Sequence, residues 1–235
     1  MTTTPQETGT HELGGGCCTT ADPGAVGGEA LEELRREDET PADVAAVRAA
    51  GFRLLFETGR PVTVDDLIDA TDVPAARVTK IFESVRARGR VEFDDQDRLI
   101  GIAGLTLTPG RHELQLDGAT RWTWCALDAV GILGALGATG TVRSTDPQTG
   151  AAVEIPFVEG RADTDAHLFI LDGFTEGNVR EDWCPRVNFF ASRGAAEQWI
   201  GKRNLRGDIV AVSEIVDDAA SMWRPVVELD APQVC

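Results

Sequence analysis

Between Pro41 and Ile102, apolar residues recur at helical spacing in three successive runs, each cut short by glycine or proline, before two short β-type segments follow. Val44, Val47, Phe52, Leu54, Leu55 and Phe56 fit an amphipathic helix that ends near Gly59. Thr63 precedes Val64-Asp65-Asp66-Leu67-Ile68, a capping residue followed by acidic first-turn residues, so a second helix is expected there. Val73-Pro74 breaks that helix. A third is expected from about Ala75 to Arg88, with Val78, Ile81, Phe82 and Val85 on one face and Gly89 at its end. Val91-Glu92-Phe93 and Leu99-Ile100-Gly101-Ile102 flank an acidic turn, as in a hairpin. Three helices and a hairpin predict a winged-helix-like domain over residues 41–107.

That pattern invites a DNA-binding reading, because the third helix carries Arg77, Lys80, Arg86, Arg88 and Arg90. The surrounding charge opposes it. The preceding segment holds Asp65, Asp66, Asp69 and Asp72, and the hairpin turn holds Asp94, Asp95 and Asp97. The chain as a whole sets 22 Lys+Arg against 39 Asp+Glu, a net charge of −17, which repels phosphate and anionic membrane surfaces. A small helical domain packed on the rest of the chain is favoured, with no nucleic-acid or membrane partner. The best apolar run, Ala129 to Ala138, falls short of the roughly 20 residues a membrane span needs. Met1 to Thr10 lacks a basic region followed by an apolar stretch, so a cytoplasmic chain with reduced cysteines is expected.

Residues 1–40 are rich in Thr, Gly and acidic side chains and poor in large apolar ones, which predicts a disordered acidic arm carrying the vicinal pair Cys17-Cys18. Within it, residues 29–40 have the charge pattern of a marginal surface helix or a linker. The second half differs in kind. Arg111 to Leu116 alternates, and Asp117-Gly118 signals a hairpin turn into Trp122-Thr123-Trp124. A helix with an apolar stripe follows over Cys125 to Leu133. Further strands are expected at Thr141–Ser144, Ala152–Val158, His167–Leu171, Val187–Phe190 and Ile209–Val212. Helices are expected after the Ser192 cap and over Ser213 to Trp223. Strands and helices without strict alternation predict an α+β domain over residues 108–224, with a tail at 225–235.

The five cysteines, Cys17, Cys18, Cys125, Cys184 and Cys235, are odd in number and widely spaced, which does not fit a disulfide framework. There is no Cys-x-x-Cys pair, and the three histidines are scattered, so no zinc ribbon or His-x-x-x-His metal site is readable. Cys125 stands where a strand gives way to a helix, a place where first-turn amides and the helix dipole favour a thiolate. Asp128, three residues on, shares its helix face. A carboxylate beside a thiolate raises the thiol pKa, so the pair makes sense with Asp128 as a proton carrier or with a cation neutralising both. Taken alone, Cys-x-x-Asp is a weak signal, because a lone Cys on an apolar helix is more often a small core hydrophobe. Cys184 lies in Trp183-Cys184-Pro185-Arg186-Val187, where proline fixes the local path. Two cysteines and a carboxylate converging from distant segments would suit a soft metal ion.

Trp124-Cys125-Ala126-Leu127-Asp128 resembles the Trp-Cys-Ala-Leu-Asp signature of organomercurial (alkylmercury) lyases. Cys184-Pro185-Arg186-Val187-Asn188-Phe189-Phe190-Ala191-Ser192, followed by Ala195-Ala196-Glu197-Gln198-Trp199, is similar to that family's second-cysteine segment. Gly59-Arg60-Pro61-Val62, with Ile100-Gly101-Ile102-Ala103-Gly104-Leu105-Thr106-Leu107, resembles its N-terminal helical domain and exit, so the likeness covers roughly residues 42–224. Two positions depart from the pattern. Asp146-Pro147-Gln148-Thr149-Gly150 stands where the family often has Cys-Pro-x-Thr-Gly, and Arg186-Val187-Asn188-Phe189-Phe190 where it often has His-x-His-Phe-Phe.

The resemblance implies protonolysis of a carbon–mercury bond to a hydrocarbon and Hg(II), in the service of mercuric resistance, with no organic cofactor. It implies Cys125 as the first thiolate, Cys184 as the second ligand, and Asp128 as the proton shuttle that then helps hold the ion. The partners it implies are an organomercurial substrate, low-molecular-weight thiols that strip the product, and a mercuric reductase as acceptor. Cys17-Cys18 admits two readings: a tethered thiol pair that hands on Hg(II), or an incidental exposed pair. Two other classes stay open at this point. One is a non-catalytic soft-metal-binding protein of the same fold, and the other a metal-responsive winged-helix regulator.

Overall fold

The computed structural model describes residues 41–227 apart from 88, 117 and 174–177. The acidic arm with Cys17 and Cys18, the segment 29–40 and Cys235 lie outside the described residues. Helix α1 (Ala42–Thr58) buries Val47, Phe52 and Leu55. Thr63 and Asp66 close a capping box on α2 (Val64–Asp69): Asp66 Oδ2 accepts the Thr63 N–H at 2.8 Å, and Thr63 Oγ1 accepts the Asp66 N–H at 3.1 Å. Helix α3 (Ala75–Ala87) sets Val78, Ile81 and Phe82 into the core.

Strands β1 (Val91–Phe93) and β2 (Leu99–Ile102) pair antiparallel. The acidic turn between them has an internal use for its charge. Asp94 accepts the N–H groups of Gln96 (3.0 Å) and Arg98 (2.9 Å) and the Arg98 Nε–H (2.8 Å). Asp97 accepts from Arg86 at 2.7 Å, and the Arg86 guanidinium lies 4.0 Å from the Phe93 ring centroid. Arg77 pairs with Asp43. Part of the basic face of α3 is therefore engaged with carboxylates of the same unit.

The sheet does not stop at the hairpin. Two residues, Leu105–Thr106, form β3 and join β2 to β5 (Ala119–Thr123). With β4 (His112–Leu116), β6 (Gly140–Thr145), β7 (Ala152–Val158) and β8 (Arg161–Ala162) they complete an eight-stranded antiparallel sheet of order β1-β2-β3-β5-β4-β6-β7-β8. Alternation in β7 places Val153, Ile155 and Phe157 inward and their neighbours outward. A second antiparallel sheet has order β10-β9-β11, from β9 (His167–Leu171), β10 (Asn188–Phe190) and β11 (Gly207–Ala211).

Helix α4 (Ala126–Ala135) packs against β4 and β5 of the large sheet, β9 and β10 of the small one, and α7 (Val212–Val227). Every residue from Ala126 to Leu133 is buried, as expected of a helix that is apolar nearly all round. Gly131 lets α7 come close: a Cβ there would lie 2.1 Å from Trp223 Cε3. The Trp223 indole N–H in turn donates to Ala103 O at 2.8 Å, fixing the turn between β2 and β3. The fold is thus mixed α+β, with N-terminal helices and antiparallel sheets. Helix α7 runs beyond the expected Trp223, through Pro225 to Val227. A short helix α5 (Val179–Asp182) and a 3₁₀ turn over Cys184–Arg186 lead into β10, and α6 (Arg193–Arg203) follows the Ser192 cap. No helix among the described residues is long and apolar enough to cross a membrane.

Candidate functional site

Cys125 is the N-cap of α4, extended at φ −143° and ψ 173°. Its N–H, one of the amides a helix start leaves unpaired, donates to Asp128 Oδ2 at 2.8 Å. Neighbouring segments fix the same junction. Thr123 Oγ1 donates to Cys125 O at 2.9 Å, Trp124 N–H donates to Gly104 O at 2.9 Å, and Ala126 N–H donates to Val187 O at 3.2 Å. The last of these bonds joins the Cys125 segment to the stretch that carries Cys184.

Cys184 opens the 3₁₀ turn, with Pro185 preset for its first residues. Val187 N–H donates to Cys184 O at 3.1 Å, and the Trp183 indole donates to Leu171 O at 3.1 Å. Asn188 is buried. Its amide donates to Pro185 O at 2.9 Å and accepts from Arg111, so the residue that precedes β4 helps hold the turn. Where the family resemblance leads one to expect an imidazole, this chain has a neutral amide that links the Pro185 carbonyl to the Arg111 guanidinium.

One sulfur from each cysteine and a carboxylate oxygen of Asp128 all lie within 4.8 Å of one another. Among the described residues this is the one such grouping of Cys, His and acidic ligand atoms. All three residues are buried, and both cysteines are free thiols. The residues singled out from the sequence are therefore brought together, although 59 positions separate the two thiols (184 less 125).

The electrostatics run against one expectation. The helix start was expected to favour a Cys125 thiolate; instead its pKa is pushed well above the ordinary value of 9.0. Burial is the main cause, followed by the hydrogen bond with Cys184 and the negative charge of Asp128. Desolvation of a fully enclosed sulfur outweighs the dipole of one helix end. Burial also raises the Asp128 carboxyl, from 3.8 to about 6, against the opposing pull of its Cys125 hydrogen bonds and of Arg90. The site thus favours a proton on Cys125 and has a carboxyl that can change protonation near neutrality.

Two neighbours of the site were not legible as such. Gly104, in the β2–β3 turn, has φ +84°, and a Cβ there would lie 2.2 Å from Asp128 Oδ1. Ala103-Gly104 between two strand-like segments was the available signal, since a two-residue hairpin turn wants residues that tolerate positive φ. Arg90 acts on Asp128 through its charge. Asp146 is not part of the grouping of Cys125, Asp128 and Cys184. Fully buried, it accepts the N–H groups of Gln148 (2.8 Å), Thr149 (3.1 Å) and Ala191 (3.0 Å), tying its turn to the end of β10.

The family model described as MerB, alkylmercury lyase, matches residues 105–224. An alkylmercury lyase of Streptomyces lividans is 31% identical over 189 residues, spanning 77% of this chain and 84% of that protein. An alkylmercury lyase of Bacillus cereus is 32% identical over 170 residues, spanning 69% and 76%. A crystal structure of the mercury-bound form of MerB2 superposes with a TM-score of 0.75 at 19% identity, covering 84% of this chain and 96% of that one, a likeness of fold.

Proposed function

The chain belongs to the alkylmercury lyase family, and from that membership we propose that it cleaves organomercurials by protonolysis at Cys125, Cys184 and Asp128. The observation that carries the assignment is the convergence of two thiol sulfurs and a carboxylate within 4.8 Å in a buried site. Soft sulfur suits mercury, and burial excludes water from the reacting bond.

The order of events follows from the proton inventory. An organomercurial R–Hg–X meets Cys125 as a thiol. The S–Hg bond forms as X leaves with the Cys125 proton, and the metal replaces the proton that burial kept in place. Cys184 then bonds the same mercury, and its proton passes to Asp128 or directly to carbon. Two sulfur donors push electron density toward the carbon. As the carbon–mercury bond breaks, its electron pair becomes the new C–H bond and R–H departs. Hg(II) remains on two thiolates with the Asp128 carboxylate beside it. No electron is exchanged with another molecule, so the cycle closes once external thiols exchange onto the ion and return two protons.

We read residues 41–107 as a winged-helix-like unit that contributes one wall of the site through Gly104, and residues 108–224 as the unit that carries the thiols. Cytosolic low-molecular-weight thiols would strip the product, and a mercuric reductase is the proposed final acceptor. The test uses phenylmercury with excess thiol and measures benzene. Wild type and Cys235→Ala release it in a single turnover, whereas Cys125→Ala and Cys184→Ala release none. Equal benzene yield from Cys184→Ala would remove the two-thiol mechanism.

A further inference from the structure

Glu92 on β1 is placed to serve both cysteine segments at once. Its side chain is 13% exposed. Oε2 accepts the Thr106 hydroxyl at 2.8 Å and the Trp124 indole N–H at 3.3 Å. Oε1 accepts the Thr108 hydroxyl at 2.8 Å and pairs with Arg180 Nη1 at 3.4 Å. Trp124 directly precedes Cys125. Arg180 sits in α5, whose end passes straight into the Cys184 turn through the bonds from Trp183 N–H to Val179 O (3.0 Å) and from Arg186 N–H to Trp183 O (2.9 Å). Arg180 Nε is buried without a hydrogen-bond partner, and beyond Glu92 the guanidinium has Glu181 at 3.9 Å. A largely buried carboxylate is costly unless its lone pairs are filled, and here four donors from three stretches of chain (Thr106 and Thr108, Trp124, and Arg180) fill them.

We propose that Glu92 is a positioning residue: by tying Trp124 and Arg180 to one carboxylate, it fixes the separation at which Cys125 and Cys184 meet a single mercury atom. This rests on the reading of the site given above. Capture by the first thiol needs only Cys125. Closure by the second needs the two segments in register, and a misplacement of about 1 Å is enough to cost about 10²-fold in rate. Loss of Glu92 therefore acts on the second step and leaves the first.

The experiment compares wild type, Glu92→Ala, Glu92→Gln, Arg180→Gln and the double variant Glu92→Gln/Arg180→Gln. Steady-state benzene release from phenylmercury is one readout. Retention of Hg(II) against rising concentrations of a competing monothiol is the other. Glu92→Ala is expected to lower kcat by about 10²-fold with KM little changed, and to lose Hg(II) at about tenfold less competitor. Glu92→Gln and Arg180→Gln fall between it and wild type, and the double variant is no worse than the poorer single one, because both break the same tie. If Glu92→Ala does not fold, the Gln variants decide. A folded Glu92→Gln with wild-type kcat and wild-type Hg(II) retention overturns the proposal. Absence of benzene from wild type would instead overturn the lyase reading, and the Hg(II) retention series would still judge Glu92.

Discussion

Asp128 Oδ2 accepts the backbone N–H of Cys125 at 2.8 Å, so a single helical turn fixes the acid relative to the first thiol. That bond requires an acceptor oxygen, which an amide also supplies, whereas proton transfer requires a titrating group. Asp128→Asn is expected to capture phenylmercury stoichiometrically and to release benzene at least about 10²-fold more slowly. Rapid-quench single-turnover measurements separate the two steps. Release at the wild-type rate would show that Cys184 delivers its proton to carbon without the carboxyl.

The same carboxyl makes stability depend on pH. Its folded value of about 6 lies above the ordinary 3.8, mainly because it is buried. A raised folded value adds stability that is complete below the unfolded value and disappears as pH rises through the folded one. At about 1.4 kcal/mol per tenfold in proton affinity, wild type should lose about 2.5 kcal/mol relative to Asp128→Asn between about pH 4 and pH 7.5. Denaturant unfolding across that range measures the difference. A gap that stays constant with pH contradicts the buried-carboxyl account.

Gly104 leaves the space that Asp128 occupies. Gly104→Ala would set a methyl group 2.2 Å from Oδ1 at a φ of +84°. Benzene release is expected to fall by more than about tenfold, and stability by about 1–3 kcal/mol. Gly118→Ala is the control, since Gly118 has φ +81° with nothing within 4 Å. It should cost stability alone. Equal turnover in the two variants would mean that the Gly104 contact does not shape the acid.

Asp146, standing where the related family often has a cysteine, anchors three backbone N–H groups and is not part of the grouping of Cys125, Asp128 and Cys184. Asp146→Ala should destabilise the fold by about 3 kcal/mol, because buried donors are left without acceptors. Benzene release per folded molecule should stay within about twofold of wild type, since Asp146 is placed outside the reacting group. Calorimetry and turnover on the same preparation check both. Loss of turnover in a fully folded variant would move Asp146 into the site.

Local rules made much of this readable in advance. Periodicity located α1 and α3, the Thr63 cap located α2, and three-residue spacing put Asp128 beside Cys125 because neighbours on a helix face are set by its pitch. What was hidden depends on distant contacts. β3 is two residues long, α5 four, and neither is long enough to show a period. The bond from Ala126 to Val187 O that unites the cysteine segments leaves no trace in either stretch alone. The protonation of Cys125 went the other way from a reading based on the helix end, because the depth of burial is a property of the packed molecule.

In the proposed reaction both sulfurs hold the same mercury atom. Mercury-edge X-ray absorption of the protein after one turnover with phenylmercury, with small thiols removed, reports the ligands directly. The account predicts two sulfur neighbours and no remaining mercury-bound carbon in wild type, and one protein sulfur with the phenyl carbon still attached in Cys184→Ala. A wild-type spectrum with a single protein sulfur, or identical spectra from the two proteins, would contradict it.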